Sequence, residues 1–233
     1  MYFNWDRDTI RWYTNSEKYT GFFKKLAEAI APMVADCKTL CDLGCGLALF
    51  DFEIAPRFDA VDCLDINKAA LSAVSERAQE RGIDNIHTLL QDCDALSGAW
   101  DAVYMSFFGS RELDRYLPFC KKLVAVVAAA SNTELFPKRG RGFTRNTDGD
   151  TREYLDTKGI PYALTTMRLE FGQPFTSIED AAHFQRTYAP YASDGEIDTF
   201  LAQKLVKTES AEFPYYIPRE KSVGIFELKG GLV

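Results

Sequence analysis

An α/β fold built on a doubly wound, mostly parallel sheet is what this sequence predicts, on two observations. Up to residue 130, short apolar runs alternate with segments whose apolar residues recur at the helical period. That alternation marks strands buried on both faces and joined by helical crossovers. The first apolar run ends in the stretch Asp42-Leu43-Gly44-Cys45-Gly46-Leu47-Ala48, where a strand hands over to a helix and where open sheets of this class take their ligands.

The elements follow in chain order. The N-terminal stretch is aromatic, with Trp5, Trp12, Tyr13, Tyr19, Phe22 and Phe23, and a helix over 19–31 is expected to stop at Pro32. Phe22 and Phe23 are expected to bury that helix against the sheet. Strands are expected at Thr39–Leu43, 60–64, 85–90, 102–106 and 123–127. The clearest helix is Lys68–Arg81: Asn67 caps it, Ala70, Leu71, Val74 and Ala78 share a face, and Gly82 supplies a left-handed stop. The polar, turn-rich stretch 131–159 reads as a loop crossing between layers. A strand is expected in YALTTMRLEF, then a helix with a capping box of Thr176 and Glu179 carrying Ala181, Ala182, Phe184 and Tyr188. A second helix carries Ile197, Phe200, Leu201 and Leu205, and KSVGIFELKG reads as a seventh and last strand, antiparallel to its neighbour.

Composition narrows the function classes. The 233 residues are 46 % hydrophobic and 26 % charged, ordinary for a globular protein, and no apolar run reaches the length of a membrane span. The N-terminus lacks the basic-then-apolar layout of a secretion signal, so a cytoplasmic protein is expected. A net charge of −7 disfavours general binding to DNA. The six cysteines, 37, 41, 45, 63, 93 and 120, fall mostly in or beside apolar strand-like runs, which favours reduced thiols over a disulfide framework. Cys37, Cys41 and Cys45 miss the spacing of a radical-enzyme iron–sulfur site by one residue, and His87 and His183 are the sole histidines, so no metal site is expected.

The glycine loop discriminates between two nucleotide chemistries. A dinucleotide fingerprint G-x-G-x-x-G needs a small residue at position 49, and Leu49 obstructs the approach of a pyrophosphate, which counts against a nicotinamide-dependent oxidoreductase. Read as D-x-G-x-G-x-G with Ala48 for the last glycine, the loop resembles that of the class I S-adenosylmethionine-dependent methyltransferases. Ala48 is then a mild departure, on the expectation that close packing, and not positive φ, is required there. Further stations extend the resemblance through residues 39 to 127. Asp65, in VDCLDIN, matches the carboxylate that accepts from the ribose hydroxyls, and Ile66 beside it matches a residue packed on adenine. Asp92 matches the acidic residue that accepts from the adenine amino group, with the Cys93 backbone N–H meeting the ring. The strand WDAVYMSFFGS has the family's aromatic-Asp-apolar-apolar opening, and Ser106 and Phe107 at its end border the sulfonium and methyl group. Taken singly, each acid is a common turn former or helix cap and each glycine a turn residue.

The resemblance implies S-adenosyl-L-methionine as cofactor, with Asp42, Leu43, Gly44, Cys45, Gly46, Asp65, Ile66, Asp92, Cys93, Ser106 and Phe107 around it. It implies one domain, 1–233, on a seven-stranded Rossmann-like sheet with the last strand antiparallel: N-terminal cap and helix 1–36, cofactor-binding core 37–130, and basic loop, helical insertion and final strands 131–233. It implies no universal catalytic residue, because methyl transfer is a displacement served by positioning and exclusion of water. A non-catalytic cofactor-binding member of the fold is the alternative within the same resemblance.

For the acceptor, the sequence offers Trp12, Tyr13, Tyr19, Phe108, Arg139 and Arg141. Ser106-Phe107-Phe108-Gly109 lacks the paired prolines of family members that methylate amino groups of DNA. Arg139 and Arg141 lie in the basic run from Lys138 to Arg145, which is either a solvated loop or a contact for an anionic substrate or an RNA backbone. Two caps, the N-terminal aromatics and the helical insertion 177–207, point to a small enclosed acceptor, with RNA or protein remaining open.

Overall fold

A computed structural model describes residues 4–130, 135–137 and 146–232. In chain order the elements are α1 (Arg7–Thr20), α2 (Phe22–Ile30), β1 (Thr39–Leu43), α3 (Leu49–Ile54), β2 (Ala60–Asp65), α4 (Lys68–Arg81), β3 (Ile86–Leu90), β4 (Trp100–Ser106), β5 (Cys120–Ala128), α5 (Asp148–Lys158), β6 (Tyr162–Glu170), β7 (Gln173–Phe175), α6 (Ile178–Tyr188), α7 (Asp194–Lys204), β8 (Val206–Lys207), β9 (Tyr215–Ile217) and β10 (Glu220–Lys229).

The main sheet has seven strands in the order β3-β2-β1-β4-β5-β10-β6. The first five run parallel, and β10 is antiparallel to both β5 and β6. The carboxyl ends of β1 to β6 and the amino end of β10 therefore share one edge. Alternation along each strand divides the core. Ala102, Tyr104, Val124 and Val126 face the layer that holds α2, α3 and α4, whereas Val103, Met105, Leu123 and Ala125 face the layer that holds Tyr116 and Leu155. A third cluster, Trp12, Phe175, Phe184, Ile197, Leu201 and Ile217, joins α1 to α6, α7 and the small sheet β7-β9-β8.

The expected strands and the Lys68–Arg81 helix are present, the helix with Asn67 accepting from Ala69 and Ala70 and with Gly82 left-handed at its end. Three expectations are corrected. The helix foreseen over 19–31 is two helices broken at Gly21, whose φ of 61° ends α1 in the left-handed region and which gives α2 no side-chain cap. Glu17 caps across the break, its carboxylate accepting from the N–H of Phe23 at 2.7 Å and of Lys24 at 3.2 Å. The stretch 131–159 contains α5, opened by a capping box of Thr147 and Asp150 and closed by Gly159; the helix reads as a loop because its buried residues are only Thr151 and Leu155. The box at α6 is displaced by one residue, with Ser177 as the cap accepting from Asp180 N–H at 3.1 Å.

Asp180 does more than cap. Its carboxylate accepts from Arg11 at 2.8 Å and from Trp12 Nε1 at 2.9 Å, pinning the N-terminal helix to the insertion. Arg11 and Trp12 hold this carboxyl below its usual range against the opposing effect of burial. Among the described residues no helix is long and apolar enough to cross a membrane.

Gly172 turns the chain from β6 into the small sheet, and a Cβ there collides with the Tyr216 hydroxyl and the Ile217 carbonyl. Gly172→Ala is expected to destabilise the protein by about 2–3 kcal/mol in urea titrations, as overpacking against backbone does.

Candidate active site

The glycine loop leaves β1 with its backbone tied to β2: the N–H groups of Gly44 and Cys45 both donate to the Leu64 carbonyl, at 2.8 and 3.0 Å. Holding that turn takes three left-handed residues, Gly44 at φ 74°, Gly46 at 54° and Ala48 at 51°. The expectation for Ala48 is thus corrected: positive φ is required, and the alanine adopts it at a cost of about 1–2 kcal/mol. The glycines are needed for space as well. A Cβ on Gly44 comes within 3.0 Å of the Phe108 ring, and one on Gly46 within 3.0 Å of the Trp5 indole.

A cavity of ≈ 270 Å³ opens beside the loop, where four strand ends converge. Gly44 lines it after β1, Leu64, Asp65 and Ile66 at the end of β2, Gln91, Asp92 and Cys93 after β3, and Phe108 after β4. Asp65 accepts from Gly46 N–H at 2.9 Å through one oxygen and from Asn67 N–H at 2.7 Å through the other. A carboxylate has about four acceptor sites, so both oxygens retain capacity for two hydroxyl donors. Ile66 is exposed at 44 %, an uncovered apolar surface at the rim. Asp92 accepts from Asp94 N–H at 2.9 Å, which turns the chain so that Cys93 follows it into the cavity wall.

Beneath the loop lies a buried acid pair. Asp42 is 2 % exposed and Asp51 0 %, and Asp42 Oδ1, both Asp51 oxygens and the Tyr104 hydroxyl are without a hydrogen-bond partner. Burial, followed by the charge of Asp51, raises the Asp42 carboxyl well above the usual range. Burial also lifts Asp51, to about 6. Burial and mutual repulsion thus work against ionising both carboxyls at once. Tyr104 stacks on Phe50 at 3.8 Å with its hydroxyl beside this pair.

The acceptor candidates separate. Phe108 lines the cavity. Tyr13 joins an aromatic wall, edge-on to Trp5 at 5.4 Å and to Phe171 at 5.5 Å. Trp12 is corrected to a core residue: it is 0 % exposed, bonded to Asp180 and packed on Phe184 and Tyr188. Tyr19 is placed away from the cavity: it is 37 % exposed by the small sheet, with its ring tilted on Tyr216 at 4.6 Å and edge-on to Phe213. Arg139 and Arg141 lie outside the described residues. Sequence reasoning missed Trp5 as the ring over Gly46, and it missed Asp51, Gln91, Phe171 and Lys221. For Asp51 a signal existed: an acid enclosed by the apolar run Leu49-Phe50-Asp51-Phe52.

These residues fit an adenosyl cofactor. Asp65 offers acceptors to a diol, the cavity is bounded by an apolar rim at Ile66 and a carboxylate at Asp92, and the loop carries no Cβ at positions 44 and 46. When bound, S-adenosylmethionine supplies a methyl group on a positively charged sulfur. A family model described as a methyltransferase domain matches residues 40–129, which is β1 to the end of β5. Among curated proteins, no sequence matches. The chain is similar in structure to the [4+2]-cyclase SpnF, at 13 % identity and a TM-score of 0.55, covering 89 % of this chain and 82 % of that one. It is similar also to the YcgJ protein of Bacillus subtilis, at 13 % and 0.52, covering 89 % and 100 %. A third likeness is to magnesium protoporphyrin IX methyltransferase of Synechocystis PCC 6803 with bound S-adenosylhomocysteine, at 16 % and 0.50, covering 87 % and 82 %.

One consequence of the acid pair is measurable. Because the folded state raises both carboxyls, it binds more protons than the unfolded chain between the usual and the raised values, and stability falls as pH rises through about 6. Asp51→Asn is expected to flatten that decline and to gain about 1–3 kcal/mol over the wild type in denaturant melts near pH 8, with little difference near pH 4. The methyltransferase-domain match on β1 to β5, the sheet order and the four converging strand ends agree on one point: residues 40–129 form a segment similar to a methyltransferase domain, on a sheet of the Rossmann-like methyltransferase fold.

Proposed function

We propose that this protein transfers the methyl group of S-adenosylmethionine to a small, enclosed acceptor, as a single cytoplasmic domain. The observation that carries the reading is the cover over the cofactor loop: the Trp5 indole lies against Gly46, and behind it Tyr13, Phe22, Phe107 and Phe171 form a continuous aromatic wall. A covered, aromatic-lined site excludes water and selects by shape, which suits a metabolite better than a polymer strand. The acidic net charge of −7 supports the same choice over a nucleic acid.

In this reading Asp65 receives the ribose hydroxyls, Ile66 covers one face of the adenine, Asp92 and the Cys93 N–H read its edge, and the loop from Asp42 to Gly46 holds the amino acid part. Ser106 and Phe107, at the end of β4, border the transferred carbon. Positioning and exclusion of water then supply the acceleration. The fold also serves a [4+2]-cyclase in SpnF, so turnover is to be measured and not taken from binding.

Calorimetry with S-adenosylhomocysteine is expected to give micromolar or tighter binding, and NAD none. Asp65→Ala should weaken the former at least about 30-fold, in line with two lost charge-assisted hydrogen bonds, while circular dichroism remains that of the wild type. Radiolabelled S-adenosylmethionine supplied with fractionated extract is expected to label the small-molecule fraction. Label confined to RNA or protein would overturn the choice of acceptor, and binding without label in any fraction would favour a non-catalytic member.

A further inference from the structure

After β3 the wall of the cavity is a short loop, 91–97, which the side chain of its own first residue holds closed. Gln91 Nε2 donates to the Ala95 carbonyl at 2.7 Å and to Ser97 Oγ at 3.4 Å. Inside that clasp Asp92 makes the turn. Its Oδ1 accepts from Asp94 N–H at 2.9 Å, and its carbonyl accepts from Ala95 N–H at 3.0 Å. The backbone N–H of Gln91 donates to the Asp65 carbonyl at 3.2 Å, so the residue that closes this loop is also tied to the strand end that carries Asp65. Gln91, Asp92 and Cys93 all line the cavity.

The shape of the loop depends on these bonds because packing does little for it. Within 91–97 only Leu96 is buried, and Cys93–Ala95 form a single 3₁₀ turn, whose bonds are poorly aligned. One further tie comes from outside, where Arg115 donates to Asp94 Oδ1 at 2.8 Å. Both partners of that pair are exposed, so solvent screens it and it restrains the loop weakly. Across the cavity the opposite wall is rigid. Phe108 packs on Gly44 and follows Phe107, whose φ of 53° is left-handed and whose N–H donates to the Val126 carbonyl at 2.8 Å. Slack in the 91–97 loop is therefore not taken up from the other side.

A carboxylate followed by a backbone N–H presents an acceptor beside a donor. Adenine offers the complement, an amino donor beside a ring acceptor, whereas a purine with an oxo group in that place offers a second acceptor beside a ring N–H. Such a pattern rejects the wrong base only while its own groups are unable to turn away from the mismatch. We infer that Gln91 is a positioning residue for base selection: its Nε2, by holding the 91–97 loop closed, fixes the Asp92 carboxylate and the Cys93 N–H so that the site admits an aminopurine and rejects an oxopurine. The inference rests on the methyltransferase reading above, which sets the adenine of the cofactor at Asp92 and Cys93. The residue type matters through its donor. Glutamate has the same length, yet it would set a carboxylate against the Ala95 carbonyl and open the clasp.

The test is calorimetry on the full-length protein with S-adenosylhomocysteine and S-inosylhomocysteine, which differ in the amino or oxo group of the base. The wild type is expected to prefer the first at least about 20-fold, the size of one hydrogen bond to a charged group. That preference should fall at least about fivefold in Gln91→Met, which keeps the length without the donor, and as far in Gln91→Glu, which keeps an acceptor oxygen without the donor. The preference for ribose over deoxyribose in the same compounds, set at Asp65, should stay within about twofold of the wild type, whereas general damage to the site would lower both. Wild-type NMR needs no variant: the Gln91 side-chain amide protons are expected to exchange more slowly than those of free glutamine. Exchange at the free rate, an absent base preference in the wild type, a preference unchanged in Gln91→Met, or one retained in Gln91→Glu alone would overturn the inference, as would loss of the ribose preference in step. Failure of S-adenosylhomocysteine itself to bind would overturn the methyltransferase reading and this inference with it.

Discussion

Two hydrogen bonds, from the Gly44 and Cys45 N–H groups to the Leu64 carbonyl, bind the loop after β1 to the end of β2, and the arrangement of the site depends on them. They carry the β1–β2 pairing one step beyond the last strand residues and turn the chain sharply enough that Gly46 N–H reaches Asp65 at 2.9 Å. The carboxylate thereby becomes a joint between loop and strand while facing the cavity. Such a turn cannot be made by extended backbone, which explains the run of left-handed residues at 44, 46 and 48. That Ala48 occupies the third of these positions means part of the folding free energy is spent on loop shape, as expected where geometry serves binding more than stability.

The acid pair under the loop belongs to the same trade. Asp42 and Asp51 are buried between β1 and α3 with oxygens lacking partners, an arrangement that costs stability at neutral pH and that an apolar pair would avoid. It places negative potential directly beneath the backbone that is proposed to receive a cationic donor. The opposite sign appears at the other boundary of the site, at Lys221 and Arg219.

How much of this was legible in the sequence follows from how local each feature is. Parallel strands buried on both faces leave continuous apolar runs, so β1 to β5 could be placed from composition alone. The positions of Asp65 and Asp92 at the cavity were legible because they fall at strand ends, fixed by the same runs. Polar α5 was not, since its buried face amounts to Thr151 and Leu155 and periodicity has nothing to register. Gly21 broke a helix whose flanks are both helical, where capping had to come from Glu17 in the preceding turn. The contacts that tie the N-terminal helix and the aromatic wall in place join residues distant in the chain: Trp5 with Gly46, Phe107 with Lys221, Trp12 with Asp180. No local pattern encodes them, and aromatic content alone could not tell Trp12, which builds the core, from Trp5, which covers the loop.

The placement of Phe107 and Phe108 shows why those long-range contacts matter for chemistry. Had the chain continued extended past Ser106, both rings would have run on beyond the sheet edge. The left-handed turn at Phe107, held by Val126, keeps them there, one against Gly44 and the other beneath Lys221. A displacement reaction needs its two reactants in line across a short gap, with water kept out. Two adjacent rings whose directions are fixed by one strained residue define such a gap more tightly than side chains from separate loops, because any motion of one is coupled to the other through the backbone. The strain at Phe107 is then a cost set against precision at the point where the proposed cofactor and acceptor sites meet.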